Sequence, residues 1–204
     1  MISKAQDYQI QNGSAVAVRP KLTALERGMI TWAVLDPGDK VLDMNPCDGL
    51  MLEYLARYME CEVCGISNHM ESVKQTRTRL QNADILYAQM EDIPWRENSF
   101  DIVFLRRMNQ EESDWDAAIK ETLRVLKPGG QFLLGATCYP APLRPVVNLF
   151  STENSRLPRP LFQSKTEWIQ FLTEAGYEQV TWEQVSLSSG VAIGWKPFTL
   201  EGME

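Results

Sequence analysis

Short apolar runs alternate with helical stretches along this chain of 204 residues, and this alternation constrains its fold more than any other feature. Apolar runs typical of buried strands lie at residues 41–44, 61–66, 85–88, 100–105 and 132–136. The stretches between and after them carry apolar side chains at helical spacing. Strand–helix–strand units of this kind form a parallel sheet with helices on both faces.

Capping and turn residues predict where the helices begin and end. Helical spacing covers residues 23–35 and resumes from about Gly49. Three pairs have the spacing of a capping box: Asn68 with Glu71, Ser113 with Asp116, and Ser164 with Glu167. In the helix after Asn68 we expect Met70 to face inward. The Pro-Gly-Gly run at 128–130 ends the helix before it, because Pro cannot continue a helix and Gly accepts positive φ.

Three segments depart from the alternating pattern. Residues 1–22 are polar and predict an arm or cap, which leaves 23–204 as a single domain. Residues 139–160 hold five of the eleven prolines and predict a long variable loop or lid. Residues 177–184 and 191–195 predict two strands joined in a hairpin, which would add an antiparallel edge to the sheet.

Charge and cysteine usage exclude several classes of partner. The formal net charge of −7 repels phosphate backbones, so nucleic acid is not the expected partner. No apolar run approaches the roughly 20 residues that span a bilayer, and the first residues contain no apolar leader. Cys61 and Cys64 form a C-x-x-C in a chain with a single His, so we expect reduced, packed thiols rather than a metal site. Together these features predict a cytoplasmic protein.

Ligands of open parallel sheets bind outside the carboxyl ends of the strands, near the switch in strand order. The loops that would meet there are residues 43–49, 67–70, 89–93 and 106–110. Their polar side chains are net acidic and comprise Asp43, Asn45, Asp48, Ser67, Asn68, Gln89, Glu91 and Asp92. Such a set suits a cationic or hydroxyl-rich ligand better than a pyrophosphate, which prefers a glycine-rich turn.

Three segments in order resemble the class I S-adenosylmethionine (SAM)-dependent methyltransferases. They are VLDMNPCDG at 41–49, EDIPWRENSFDIVFLRRM at 91–108 and AIKETLRVLKPGGQFLL at 118–134. The C-terminal part is similar to the ubiquinone/menaquinone-biosynthesis methyltransferases, and the resemblance covers roughly residues 20–196. It implies a doubly wound α/β fold with a mostly parallel, seven-stranded sheet and an antiparallel C-terminal hairpin at its edge.

The resemblance also implies a SAM site and its residues. By position, the expected cofactor contacts are Asp43, Asn45, Cys47, Gly49, Ser67, Asn68, Gln89, Met90, Glu91 and Leu105. Asp43 and Gly49 keep the family pattern, in which the first-strand acid and the glycine loop hold the methionine end. The family's ribose acid is replaced by Ser67 with Asn68 beside it, and its adenine-binding Asp is replaced by Gln89.

The departures from the family pattern have physical consequences. Asn45 and Cys47 replace two glycines, and Asn45 precedes Pro46, which favours an extended conformation. Cys47 brings a Cβ and a sulfur to a place where the family has none. Replacing two carboxylates by a hydroxyl and an amide removes charge-assisted hydrogen bonds and should weaken SAM binding about tenfold or more.

The implied reaction is direct methyl transfer from SAM to a small-molecule acceptor, with no metal and no assigned catalytic residue. The alternative is a non-catalytic binding or assembly module of the same fold that binds SAM weakly or has lost it. A dehydrogenase would need G-x-G-x-x-G, and a serine hydrolase G-x-S-x-G; the sequence has neither. A homodimer is left open. We expect His69 to have a structural or cofactor-lining role and Asp101 to support the fold.

Overall fold

The computed structural model describes residues 8–11, 14–17, 20–106, 114–138 and 164–198, with side chains from residue 20 onward. The predicted loop at 139–160 lies outside these residues. The strands are β1 (Tyr8–Gln11), β2 (Ser14–Ala17), β3 (Lys40–Asp43), β4 (Glu62–Ser67), β5 (Asp84–Tyr87), β6 (Phe100–Leu105), β7 (Leu126–Thr137), β8 (Glu178–Ser186) and β9 (Ser189–Trp195). The helices are α1 (Ala24–Trp32), α2 (Leu50–Tyr58), α3 (Met70–Arg79), α4 (Trp115–Val125) and α5 (Lys165–Glu174).

Seven strands form one sheet in the order β5-β4-β3-β6-β7-β9-β8. The pairs from β5 to β7 are parallel, β9 is antiparallel to β7, and β8 is antiparallel to β9. This confirms the predicted mostly parallel, seven-stranded sheet with a C-terminal hairpin at its edge. The separate β1–β2 hairpin lies within the predicted N-terminal arm and was not predicted as strands.

Both faces of the sheet are covered by apolar side chains, as its parallel strands require. Along β6, Ile102 and Phe104 pack into one buried cluster with α2, whereas Val103 and Leu105 pack into the other with α4. Because successive side chains of β6 point to opposite faces of the sheet, this strand contributes to both apolar clusters of the core. The expected inward orientation of Met70 is wrong, since this first residue of α3 is 48% exposed.

The helix starts agree only in part with the predicted capping boxes. Ser164 accepts from the Glu167 N–H as predicted, and Thr23 begins α1 with a capping box that was not predicted. The Asn68 cap is wrong, because the chain enters α3 one residue later, at His69, with no side-chain cap. The helix start at Ser113 is also wrong: Asp114 caps α4, and Ser113 lies outside the described residues.

Helix α4 ends at Val125, where the Lys-Pro-Gly-Gly run was predicted to stop it. The strand begins earlier than the predicted residue 132, because Leu126 already pairs with Phe100 of β6. Pairing resumes at Gln131 opposite Ile102, so the four residues between bulge out of the ladder. Gly129 takes a φ of 76° in this bulge.

Candidate functional site

The carboxyl ends of β3, β4, β5 and β6 lie at the same edge of the sheet because these strands are parallel. Their last residues are Asp43, Ser67, Tyr87 and Leu105. Strand β3 has β4 on one side and β6 on the other, so the switch in strand order falls between β3 and β6. We call this edge the strand-end site. Its β3–β6 half comprises 43–49 and 106, and its β4–β5 half comprises 67–70 and 87–91.

The loop between β3 and α2 makes its turn with two residues in the left-handed region. Gly49, the N-cap of α2, has φ 78°, and Cys47 has φ 52°. A Cβ on Gly49 would lie 2.9 Å from Thr76 Cγ2 and 3.2 Å from Thr76 Cα, so the position has room only for glycine. Asn45 is not among the positive-φ residues of the described chain. Of the two replaced glycines, only the one at Cys47 falls where a glycine would be conformationally favoured.

Helix α3 holds this loop from the side of β4. The carbonyl of Cys47 accepts from Ser72 Oγ at 2.7 Å and from Thr76 Oγ1 at 3.3 Å. The carbonyl of the next residue, Asp48, accepts from Arg79 Nε at 2.8 Å. Hydroxyl and guanidinium donors thus fix the main chain of the β3–α2 loop, while the Cys47 side chain stays exposed.

A buried cluster of three charged side chains closes the β3–β6 half. Arg106, the first residue after β6, donates through Nη1 to Glu26 Oε1 of α1 and through Nη2 to the Asn45 carbonyl at 2.7 Å. Its Nη2 also lies 3.3 Å from Asp43 Oδ2. Arg106 is 7% exposed, Glu26 is 5% exposed and Asp43 is 0% exposed. A ligand could therefore reach the Asp43 carboxylate only if the cluster rearranged.

Burial and pairing act in opposite directions on these charges. Burial raises the pKa of the Asp43 carboxyl, and the Arg106 guanidinium and the Asn45 N–H, which donates to Oδ1 at 3.0 Å, oppose that rise. Burial alone would lower the pKa of Arg106, but the carboxylates of Asp43 and Glu26 help to raise it. Two carboxylates and one guanidinium leave a single net negative charge. Asp43 Oδ2 and Arg106 Nε are buried without a hydrogen bond among the described residues.

The β4–β5 half is more open, and Glu91 is its one carboxylate. The hydroxyl of buried Ser67 accepts from the His69 N–H at 3.1 Å. Asn68 is half-buried and Gln89 exposed, and neither side chain is hydrogen-bonded within the described part of the chain. Met70 and Tyr87 are 48% and 54% exposed, so apolar surface flanks these amides. This half offers free acceptors and donors beside apolar side chains.

Three further predicted contacts are occupied by the protein itself. Glu91 Oε1 accepts from the Asp114 N–H at 3.0 Å and so holds the start of α4. Met90 is half-buried against the core, and Leu105 is fully buried within it. A ligand contact from Leu105 would therefore have to come from its main chain. His69 is exposed at the start of α3, and Asp101 pairs with Lys127 at 2.8 Å.

Sequence reasoning missed Arg106 and Glu26, which decide the character of the β3–β6 half. A charge directly after an apolar strand is a signal that could have identified Arg106. Its burial, however, depends on Glu26, which lies 80 residues earlier in the sequence. No local pattern predicts that these two side chains meet.

The C-x-x-C pair has no reactive character in this structure. Cys61 and Cys64 are free and buried, and burial raises the pKa of each thiol to about 11. Both therefore stay protonated near neutral pH and pack as small apolar groups. Over the described residues, no group of three or more His, Cys, Asp or Glu side chains is arranged to hold a metal ion.

The two halves fit SAM unequally. The β4–β5 half has the hydroxyl and amide groups that a nucleoside requires, with the free side chains of Asn68 and Gln89 at its rim. The β3–β6 half leaves no unpaired Asp43 carboxylate for the ammonium group at the amino-acid end of SAM, because Arg106 already lies against Asp43. A guanidinium and a ligand ammonium cannot share this position.

Residues 42–134 match a protein-family model described as "Methyltransferase domain". The chain is 27% identical over 202 residues to cycloartenol-C-24-methyltransferase of Arabidopsis thaliana, covering 91% of this chain and 57% of that protein. It is 25% identical over 162 residues to sarcosine/dimethylglycine N-methyltransferase of Halorhodospira halochloris, covering 73% and 55%. The chain thus spans a little more than half the length of these two relatives. A ubiquinone/menaquinone biosynthesis C-methyltransferase of Shewanella woodyi is 27% identical over 193 residues, covering 81% and 76%.

Solved structures share the fold at lower identity. A putative methyltransferase from Haloferax volcanii, in complex with the Trm112 activator, has a TM-score of 0.73 at 17% identity and covers 85% of this chain and 89% of its own. The [4+2]-cyclase SpnF has a TM-score of 0.70 at 21% identity, with 85% and 81% covered. The sequence and fold similarities of the chain are thus to the class I SAM-dependent methyltransferase family. Every helix in the described ranges is too short or too polar to cross a membrane.

Proposed function

We propose that this chain binds SAM at the strand-end site and transfers its methyl group to a small-molecule acceptor. The observation that carries the proposal is the β4–β5 half, where Ser67, Asn68 and Gln89 lie at the ends of two neighbouring strands in a methyltransferase fold. Two of these side chains have no partner within the described residues and are free to accept hydrogen bonds from a nucleoside.

Each residue has a binding or positioning role in this proposal. SAM supplies the methyl group on a sulfonium, and a direct displacement needs positioning and exclusion of water rather than a catalytic triad. Ser67 and Asn68 would contact the ribose hydroxyls, and Gln89 the adenine amine. Glu91 contributes indirectly, because its hydrogen bond to the Asp114 N–H fixes α4 beside the site.

The acceptor is defined only by class. The relatives are named for C-24 methylation of cycloartenol, N-methylation of sarcosine and dimethylglycine, and C-methylation in ubiquinone/menaquinone biosynthesis. Their range supports a small molecule without selecting one. The net charge of −7 argues against a nucleic-acid acceptor.

A second candidate function rests on the closed β3–β6 half. With Arg106 against Asp43, the chain has the features of a methyltransferase fold that binds a different small ligand or serves as a non-catalytic module. SpnF is named as a [4+2]-cyclase, so proteins of this fold are not restricted to methyl transfer.

Calorimetry with SAM and S-adenosylhomocysteine tests the proposal on the full chain. We expect binding at or below millimolar ligand, and ligand at 100 times its dissociation constant should stabilise the fold by about 2.7 kcal/mol. The Asn68→Ala/Gln89→Ala variant should weaken both ligands about tenfold, since each lost hydrogen bond contributes about 0.5–1.5 kcal/mol. Lys127→Met, which removes a cation paired with Asp101 at the amino end of β6, is the control and should bind normally. Absence of binding near 1 mM would refute SAM dependence.

A further inference from the structure

Arg106 joins three segments that are distant in sequence. Its guanidinium contacts Glu26 on α1, the Asn45 carbonyl in the β3–α2 loop, and Asp43 at the end of β3. These contacts lie between β3 and β6, at the switch in strand order where ligands of such sheets bind. The guanidinium therefore occupies a ligand position and not a remote part of the core.

The cluster is built around a cation. Asp43 is fully buried, and a buried carboxylate is costly unless it is paired. Its Oδ2 lies 3.3 Å from Arg106 Nη2 and has no hydrogen-bond donor within the described residues. The arginine therefore supplies the positive charge that a cationic ligand group would otherwise bring to this carboxylate.

We propose that Arg106 tunes the ligand specificity of the site: its guanidinium takes the place of a ligand ammonium group beside Asp43, so that SAM binds more weakly than it would without Arg106, whereas a nucleoside without an ammonium-bearing tail is unaffected. This inference rests on the proposed function, because both assign the nucleoside to the β4–β5 half. A nucleoside without such a tail uses that half alone and leaves the cluster intact. A nucleoside with an ammonium group must displace Arg106.

Displacement of Arg106 has a consequence for the N-terminal helix. Glu26 also accepts from the Thr23 N–H at 2.7 Å and completes the cap of α1. When the guanidinium leaves, Glu26 loses its buried cation and α1 loses its side-chain tie to the loop after β6. Entry of a cationic ligand is thus coupled to the packing of α1.

The test compares two adenine nucleosides, SAM and 5′-methylthioadenosine, which lacks the amino-acid tail and its charges. Dissociation constants are measured by calorimetry for the wild type, Arg106→Met and Glu26→Gln/Arg106→Met. The double variant removes both partners of one ion pair, and the amide that replaces the Glu26 carboxylate can still accept from the Thr23 N–H. It should therefore fold under conditions where the single variant fails. We expect either variant to tighten SAM by about tenfold or more, while methylthioadenosine changes less than about twofold.

Lys127→Met is the matched control, since it also removes a cation paired with a carboxylate but lies at the opposite end of the sheet. Its ratio of the two dissociation constants should equal that of the wild type. Equal changes in both ligands, or an unchanged ratio, would overturn the inference while leaving SAM binding established. Failure of both variants to fold would also overturn it, because Arg106 would then be a structural residue. If neither the wild type nor any of the variants binds either nucleoside, the proposed function itself fails.

Discussion

The two halves of the strand-end site differ in whether the polar side chains at the strand ends are paired within the protein. In the β3–β6 half, Asp43, Arg106 and Glu26 are buried and form ion pairs with one another. In the β4–β5 half, Asn68 and Gln89 carry no charge and remain open to contact. Substitution of the paired residues tests stability, whereas substitution of Asn68 and Gln89 tests ligand binding. The same sheet edge therefore contains a structural half and, in our proposal, a receptive half that binds the ligand.

The largest effect on stability is expected for Arg106→Met, which tests the structural half. The change leaves Asp43 and Glu26 buried without their cation, and breaking a buried pair in this way costs about 3–5 kcal/mol. Urea unfolding at neutral pH would measure the loss. Glu26→Gln/Arg106→Met should recover part of it, because one unpaired charge is removed. A loss below about 1 kcal/mol for the single variant would show that the cluster is not a structural unit.

The same variant should depend on pH in a defined direction. Burial raises the pKa of Asp43, and Arg106 is the main charge that opposes the rise. Without Arg106 the folded state holds this proton to a higher pH than the unfolded chain, so it loses stability as pH rises from the usual Asp value through the raised one. The difference from the wild type should therefore widen as pH rises above the usual Asp value. A constant difference would mean that Asp43 is not the affected group.

An intermediate effect is expected within the loop, where Gly49 and Cys47 form a matched pair at positive φ. Gly49→Ala should lower the free energy of unfolding by about 1–2 kcal/mol or more, because left-handed backbone is costly for Ala and its Cβ would meet Thr76. Cys47→Gly should raise it by about 0.5 kcal/mol, since relief of strain exceeds the entropy cost of glycine. Urea unfolding measures both. If neither variant changed the free energy of unfolding, the loop would not depend on positive φ at these two positions.

The sequence predicts the sheet because strand and helix periods are local properties. The order of strand ends followed from the parallel topology, so the loops after β3, β4 and β5 were correctly expected at one edge. The cap at Asn68 was predicted wrongly because the N-cap of α3 is His69, whose N–H donates to the Ser67 hydroxyl two residues earlier. Local spacing alone does not distinguish neighbouring residues as caps.

The charged cluster escapes prediction for a different reason. Arg106 reads as an exposed loop residue until α1 packs over it and brings Glu26 within bonding distance. The sequence predicts Asp43 as a ligand contact because it ends the first strand of the parallel sheet. It does not predict that the packing of Arg106 leaves Asp43 fully buried. Long-range packing determines which polar side chains are paired within the protein and which stay available to a ligand. The two halves of the site differ for this reason.

The smallest effect on stability is expected in the receptive half, and it sharpens the comparison most directly. Asn68→Ala and Gln89→Ala remove side chains that have no hydrogen bond within the described residues, so each should change the free energy of unfolding by less than about 0.5 kcal/mol. Ser67→Ala is the internal contrast, because its hydroxyl accepts from the His69 N–H and its loss should cost about 1 kcal/mol. If Gln89→Ala were as costly as Ser67→Ala, Gln89 would have a structural partner, and the division between the two halves would not hold.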